Sequence, residues 1–195
     1  SSANLMTVEN GATFDIYMMT TPVLWGLVMN EKSRYYVRQS GTTTQNNWAG
    51  PVTLNGRSVF DANSGYYGTI SGDIAGTGSF VKFGAGTLYL ASTNNTYSGT
   101  TTISNGTLYA QYAGSLPGYD SGKLTLASTG ILALPTGDGT TGWNAGQIKT
   151  LCAASTFTAN TVSLSIDTTL TSLTYDGSLV KPMALIKQGT NTLSL

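Results

Sequence analysis

Histidine is missing from this chain of 195 residues, and that absence removes a large part of enzyme chemistry. Without an imidazole there is no Ser-His-Asp or Cys-His pair and no histidine-based metal site. Cysteine occurs once, at Cys152, so no intrachain disulfide can form. Its apolar neighbours Ile148, Leu151 and Ala153 read as the surroundings of a buried core thiol. Charge is scarce: 9% of residues are Asp, Glu, Lys or Arg, far below the roughly one quarter of an average protein. Nine basic and nine acidic residues cancel, which leaves no electrostatic footprint for nucleic acid or an anionic membrane. No apolar run is long enough to span a bilayer, and no secretory signal pattern opens the sequence. If exported, the chain is expected to be a mature or excised piece, its solubility resting on outward Thr, Ser and Asn.

What is present is alternation. Across Phe80 to Leu108, apolar or long side chains at Val81, Phe83, Leu88, Leu90, Ile103 and Leu108 alternate with small polar ones, the period-two signature of strands. Gly84-Ala85-Gly86, Thr93-Asn94-Asn95, Ser98-Gly99 and Asn105-Gly106 interrupt it, residue types that accept a positive φ or bond their own backbone at a corner. The chain closes with a second copy: Lys187, Gly189, Thr192, Leu193 and Leu195 repeat Lys82, Gly84, Thr87, Leu88 and Leu90 at a constant offset. Self-similarity at a fixed period marks a repeat architecture, in which each unit leaves an apolar face for the next to cover.

The run from Gly76 to Leu108 resembles the autotransporter-associated β-strand repeat, also called the passenger-associated transport repeat. The family's pattern, roughly G-S-x-x-K-x-G-x-G-T-L-x-L, a linker, N-T-Y-x-G-x-T-x-I and then G-T-L, is met with few departures. Thr100 stands where a second glycine is common, and Asn105 precedes Gly106. Trp48 to Leu54, and Gly142-Trp143-Asn144-Ala145 through Ile166-Asp167-Thr168, are similar to flanks in such proteins. The resemblance implies a single right-handed parallel β-helix in a secreted or surface-displayed bacterial protein, extracellular or at the cell surface. It implies no catalytic residues and no cofactor, because the family motif contains none.

Read in order, the chain gives strands at Leu5–Val8 and Thr13–Met18 around Asn10-Gly11, and a doubly buried strand at Thr21–Val28. Asn30 to Arg34 reads as a solvated loop, Tyr35–Gln39 as a strand and Ser40 to Asn47 as a polar turn. Pro51–Leu54, Ser58–Ala62 and Tyr66–Ile70 continue the pattern. Beyond the repeat, Tyr109 to Asp120 reads as a loop, with strands at Lys123–Leu126 and Gly130–Leu134. One stretch departs from β: Asn144 and Gln147 form a capping-box pair, and Ile148, Leu151 and Cys152 fall at helical spacing. A short amphipathic helix is expected over 145–154. Strands return at Val162–Ile166, Leu170–Tyr175 and Leu179-Val180. Leu88, Leu90, Ile103, Leu108, Leu124, Leu126, Leu193 and Leu195 are the strongest inward candidates.

The expected fold is all-β, one β-solenoid over residues 1–195 with two related half-units, about 1–90 and 91–195. At about 20 to 25 residues per coil it would have roughly eight or nine coils and be about 40 Å long at ~4.8 Å per rung. Joining the end to the start gives TLSL-SSAN beside the internal TLYL-ASTN, so the chain reads as one unit of a tandem or head-to-tail array. The expected partners are a second copy or adjacent repeats of the same chain, with Leu5, Val8, Leu193 and Leu195 as the self-association residues. The reading is structural and not enzymatic: a filament subunit or shaft segment of a surface adhesin. Asp61 and Asp73, about one coil apart, are not expected to work as an acid/base pair. Thr136-Gly137-Asp138-Gly139 and Gly72-Asp73 read as turns and not as calcium or other metal sites. The Gly-rich stretch Ser71 to Gly78 opens a strand and so lacks a phosphate-binding helix N-terminus. The competing class is a carbohydrate-binding module, with host or surface glycans contacting the paired tyrosines Tyr35, Tyr36, Tyr66 and Tyr67 and the tryptophans Trp25, Trp48 or Trp143. Tyrosine is also simply a good strand former.

Overall fold

Short alternating segments separated by Gly and Asn corners leave the chain one economical solution: to coil, so that each strand finds its hydrogen-bond partner one turn later. A computed structural model describes residues 4–39 (apart from the Gln39 side chain), 46–158, 160–179 and 181–195. In it every strand pairing is parallel. The Asn-Gly dipeptides are therefore corners of a solenoid and not hairpin turns, since parallel partners need a full connection between them. The polar turn expected at Ser40 to Asn47 lies largely outside the described residues, as does Val180; its last two residues, Asn46 and Asn47, begin the strand Asn46–Trp48.

Along the principal face, Thr13–Tyr17, Arg34–Gln39, Ser58–Ala62, Phe80–Phe83, Thr101–Ala110, Leu124–Pro135, Ser163–Asp167 and Ala184–Gln188 lie side by side, a stack of about eight rungs. A second face carries Leu5–Val8, Gly26–Met29, Val52–Leu54 and Ile74–Gly76. A third, made by Asn46–Trp48, Tyr67–Ile70 and Thr87–Leu90, runs into the far half of the long strand Thr101–Ala110. Three strands per turn thus give way to one long strand as the second face ends at Ile74–Gly76 and the corner at Asn105 is absorbed, leaving a register shift after Ile103.

The interior is filled by like residues stacked in register. Leu88, Leu108, Leu132, Leu164 and Leu185 are successive ladder partners, and the first four are completely buried. Toward the N-terminal end aromatic rings take over: Phe14, Tyr35, Phe60, Phe80 and Tyr97 follow one another with centroids 4.4 to 6.1 Å apart, and Trp48 packs edge-on to Phe14 and Tyr35. Stacked identical shapes bury the most apolar area per rung, about 25 cal/mol per Å² removed from water.

The helix forms at Ala145–Ala154 and buries Ile148, Leu151 and Cys152. Asn144 Oδ1 accepts from the Gln147 N–H at 2.9 Å, and Gln147 Oε1 accepts from the Asn144 N–H at 3.1 Å. Among the described residues no helix is long and apolar enough to cross a membrane.

Four expectations need correction. Thr21–Val28 is not a doubly buried strand: the strand is Gly26–Met29, while Leu24 and Trp25 are 74% and 46% exposed at a corner on the first turn. Between Leu170 and Tyr175 only Leu173–Thr174 is strand, paired with Leu193–Ser194. Tyr109 continues the long strand and is not in a loop. In Phe80–Phe83 the apolar alternation of Val81 and Phe83 does not mark one face: Phe80 and Lys82 point inward, Val81 is also buried, and Phe83 is 49% exposed. The Gly84-Ala85-Gly86 corner breaks the alternation between this strand and the next, so the apolar positions on either side of it need not share a face.

Candidate functional site

At the N-terminal end, Leu5–Val8 pairs among the described residues only with Gly26–Met29, and Thr13–Tyr17 only with Arg34–Gln39. Over them opens a cavity of about 450 Å³ lined by Met6, Phe14, Met19, Leu24, Trp25 and Trp48, among others. Beneath it, Trp48 Nε1 and the Tyr35 hydroxyl are buried without a hydrogen-bond partner among the described residues. By contrast, Trp143 Nε1 donates to the Ala110 carbonyl at 2.8 Å. The opposite end presents Leu185, Leu193 and Leu195 around a small apolar recess. Of the residues expected at the terminal rungs, Leu5 (62%) and Leu195 (75%) are exposed, Leu193 is half-buried and Val8 is buried beneath its own chain. Leu195 therefore does not belong to the core expected for it.

Of the tyrosines named for the competing glycan-binding reading, Tyr36, Tyr66 and Tyr67 are half-buried and Tyr35 does not reach the surface. Tyr35 is a core residue with no accessible surface, and burial holds its phenol well above the usual range. Tyr36 lies under Arg34, whose guanidinium carbon is 4.4 Å from the ring centroid. Trp48 and Trp143 are likewise core residues. What the structure assembles instead is an outer pair: Tyr89 and Tyr109 are ladder partners with ring centroids 5.0 Å apart, while Tyr67, out of register with Tyr89 by two residues, meets it edge-on at 6.4 Å. Alternation around Leu88, Leu90 and Leu108 was the available signal, since inward leucines put Tyr89 and Tyr109 on the outside.

Carboxylates are dispersed. Asp61 pairs with Arg34, and Asp73 accepts hydrogen bonds from Ser92 and Asn94, so each has its own partners. Asp138 accepts from the Thr140 and Thr141 N–H groups and the Thr141 hydroxyl, bonds that pull its carboxyl below the usual range and fix a turn.

The corner after Phe80–Phe83 has an unusual construction. Lys82 reaches along the core to the corner, where its Nζ donates to the carbonyls of Phe83, Gly84 and Asn105 at 2.7, 2.8 and 3.1 Å. All three ammonium protons are thereby used. Burial lowers the lysine to about 8, partly offset by the Asp61 carboxylate. Gly84 adopts φ +75°, which a side chain would strain. At the next corner Asn95, almost buried, accepts from the Ile74 N–H and donates to the Ser115 carbonyl, bridging neighbouring turns. Tyr97 shares a 2.6 Å hydrogen bond with Thr101. A Cβ on Gly99 would stand 2.2 Å from the Gly78 carbonyl oxygen, so only glycine fits there. Lysine, glycine, asparagine, tyrosine and glycine are thus each required by a corner, in that order.

Residues 80–110 match the passenger-associated-transport-repeat family. The chain carries a passenger repeat. No curated protein and no solved structure matches it. The repeat's motif is the corner chemistry just described. The second copy preserves one part of it: Lys187 Nζ donates to the Gly189 carbonyl, and Gly189 has φ +75° like Gly84. The passenger repeat and the solenoid together fit a segment of an autotransporter passenger, and the family points to a secreted or cell-surface protein.

Proposed function

We propose that this chain is a shaft segment of a surface-displayed passenger, its terminal rungs stacking on rungs of the same build, supplied by a second copy or by adjacent repeats. The observation that supports this reading is the apolar character of both end faces: the cavity bordered by Leu24 and Trp25 at one end, and exposed Leu195 beside Leu185 and Leu193 at the other. A rung laid on either face would pair strand edges that have no partner among the described residues and bury that surface. Because the two faces differ, such a contact is heterologous and propagates instead of closing. The role is mechanical and not enzymatic. Supporting this are the lack of histidine in the sequence and the separate structural partners of Asp61 and Asp73.

Negative-stain microscopy of the purified chain, with its size distribution across concentration, tests the reading. Unbranched rods that lengthen with concentration are expected, and Leu5→Asp or Leu195→Asp should shorten or abolish them by placing an uncompensated charge in the contact. A monomer at every concentration would overturn stacking between copies.

A further inference from the structure

The pair Tyr89 and Tyr109, with Tyr67 set to one side of it, belongs neither to the core nor to the end faces, and nothing in the shaft reading uses it. We propose that Tyr89 and Tyr109 form a binding site for an extended, neutral, β-linked polysaccharide lying along the outside of the solenoid parallel to its axis.

Three features carry the assignment. The first is the pose of the rings. Tyr89 and Tyr109 are direct ladder partners, half-buried, with ring planes tilted by 41°. The Tyr109 hydroxyl donates to Asp167 Oδ2 at 2.9 Å, reaching across the strand Leu124–Pro135. The in-register residues beneath that reach, Ala133 and Ser165, are small and only 2% and 1% exposed. The ring therefore lies over them, one face to the sheet and one to solvent. A pyranose presents patches of C–H to such a face, and aromatic side chains with a polar tip suit ligands that are partly apolar and partly hydroxylated.

The second is the polar rim. Thr69, Tyr89, Ala91, Tyr109, Gln111 and Asp167 line an open recess of about 370 Å³. Among the described residues the Gln111 side-chain amide has no partner, so it has both a donor and an acceptor to offer to sugar hydroxyls. Asp167 is held as a carboxylate: burial raises it, but bonds from the Thr169 hydroxyl and N–H and from Tyr109, with the Lys187 charge, outweigh that and leave it lowered. A recess whose charged lining is one carboxylate repels anionic glycans and accepts neutral ones.

The third is spacing. Tyr89 and Tyr109, ladder partners on neighbouring rungs, recur with centroids 5.0 Å apart, close to the ~4.8 Å strand repeat and comparable to the advance of one sugar in an extended β-linked chain. Coiled α-linked chains have no such match. The site faces sideways, so end stacking neither covers nor creates it, and it stands or falls apart from the shaft reading.

Titration calorimetry and affinity electrophoresis with cellohexaose and xylohexaose test the proposal, with maltohexaose and a heparin hexasaccharide as controls. Saturable binding of at least one β-linked hexasaccharide is expected, with none of maltohexaose. Tyr89→Ala and Gln111→Ala should each weaken it, the former about tenfold or more, while Tyr109→Phe keeps most of the affinity because the ring remains. Tyr17→Ala, on an exposed tyrosine of the first rung, should change nothing. Circular dichroism melts establish that each variant folds. Absence of binding to both β-linked probes, binding of heparin alone, or binding indifferent to Tyr89→Ala in a folded protein would each overturn the assignment.

Discussion

Lys82 shows how one residue can hold a corner that its strand alone would not. Its replacement by methionine keeps the apolar stem but leaves the carbonyls of Phe83, Gly84 and Asn105 without their donor, a loss of about 3 kcal/mol. Urea denaturation of Lys82→Met measures it; a change below about 0.5 kcal/mol, the size of an ordinary surface substitution, would mean the lysine does not staple the corner. The same residue sets a pH dependence. Below about pH 8 folded and unfolded chains both hold the proton, and Lys82 contributes no slope. Between about 8 and the ordinary 10.5, the unfolded chain still binds a proton the folded chain has released. Stability therefore rises with pH across that window. Melting temperatures of the native chain minus those of Lys82→Met, taken from pH 7 to 10.5, should climb; a flat difference would contradict the lowered value. In the sequence this lysine is a lone cation within a strand, and only its recurrence as Lys187 ahead of Gly189 marks it. That its ammonium turns inward depends on where the neighbouring turn places Asn105.

At the scale of elements, the strands and the one helix are formed by local rules, and their burial is decided by neighbours. The helix Ala145–Ala154 is anchored twice: by the reciprocal Asn144–Gln147 bonds, and by Gln147 Nε2 donating to the Gly139 carbonyl at 3.1 Å. Asn144→Ala should cost about 1 kcal/mol in thermal or urea unfolding, and Asn144→Ser much less; equal losses for both would show that the cap is not the source. This helix was legible because caps and 3.6-residue spacing are local signals. The strand expected at Thr21–Val28 was misread because an apolar run states a wish to be covered without saying whether a neighbour does so. Leu24 and Trp25 sit on the first described turn, whose strands pair on one side only among the described residues.

Over the whole molecule, stability should vary along the axis, because each rung touches only its neighbours. Amide hydrogen exchange is expected to be slowest in Phe80–Phe83 and Thr101–Ala110, which are paired on both sides, and faster at Leu5–Val8 and Leu193–Ser194. Raising the protein concentration should slow exchange at those end strands first if copies stack. Uniform protection at high dilution would show that the ends need no cover, removing the motive for stacking.

Alternation, the corner residues, the Lys-x-Gly recurrence and the capping box are written in the order of the amino acids and determined a strand-and-corner repeat with one short helix, to which the resemblance to the passenger repeat added the parallel coil. Which members of each pattern face outward was settled by tertiary structure. Tyr35 went into the aromatic core, while Tyr89 and Tyr109 formed the outer pair. The physical reason is that period two fixes alternation within a strand but not its phase relative to the rungs above and below. Phase is set by how each corner bends and by which side chains the adjacent turns leave room for.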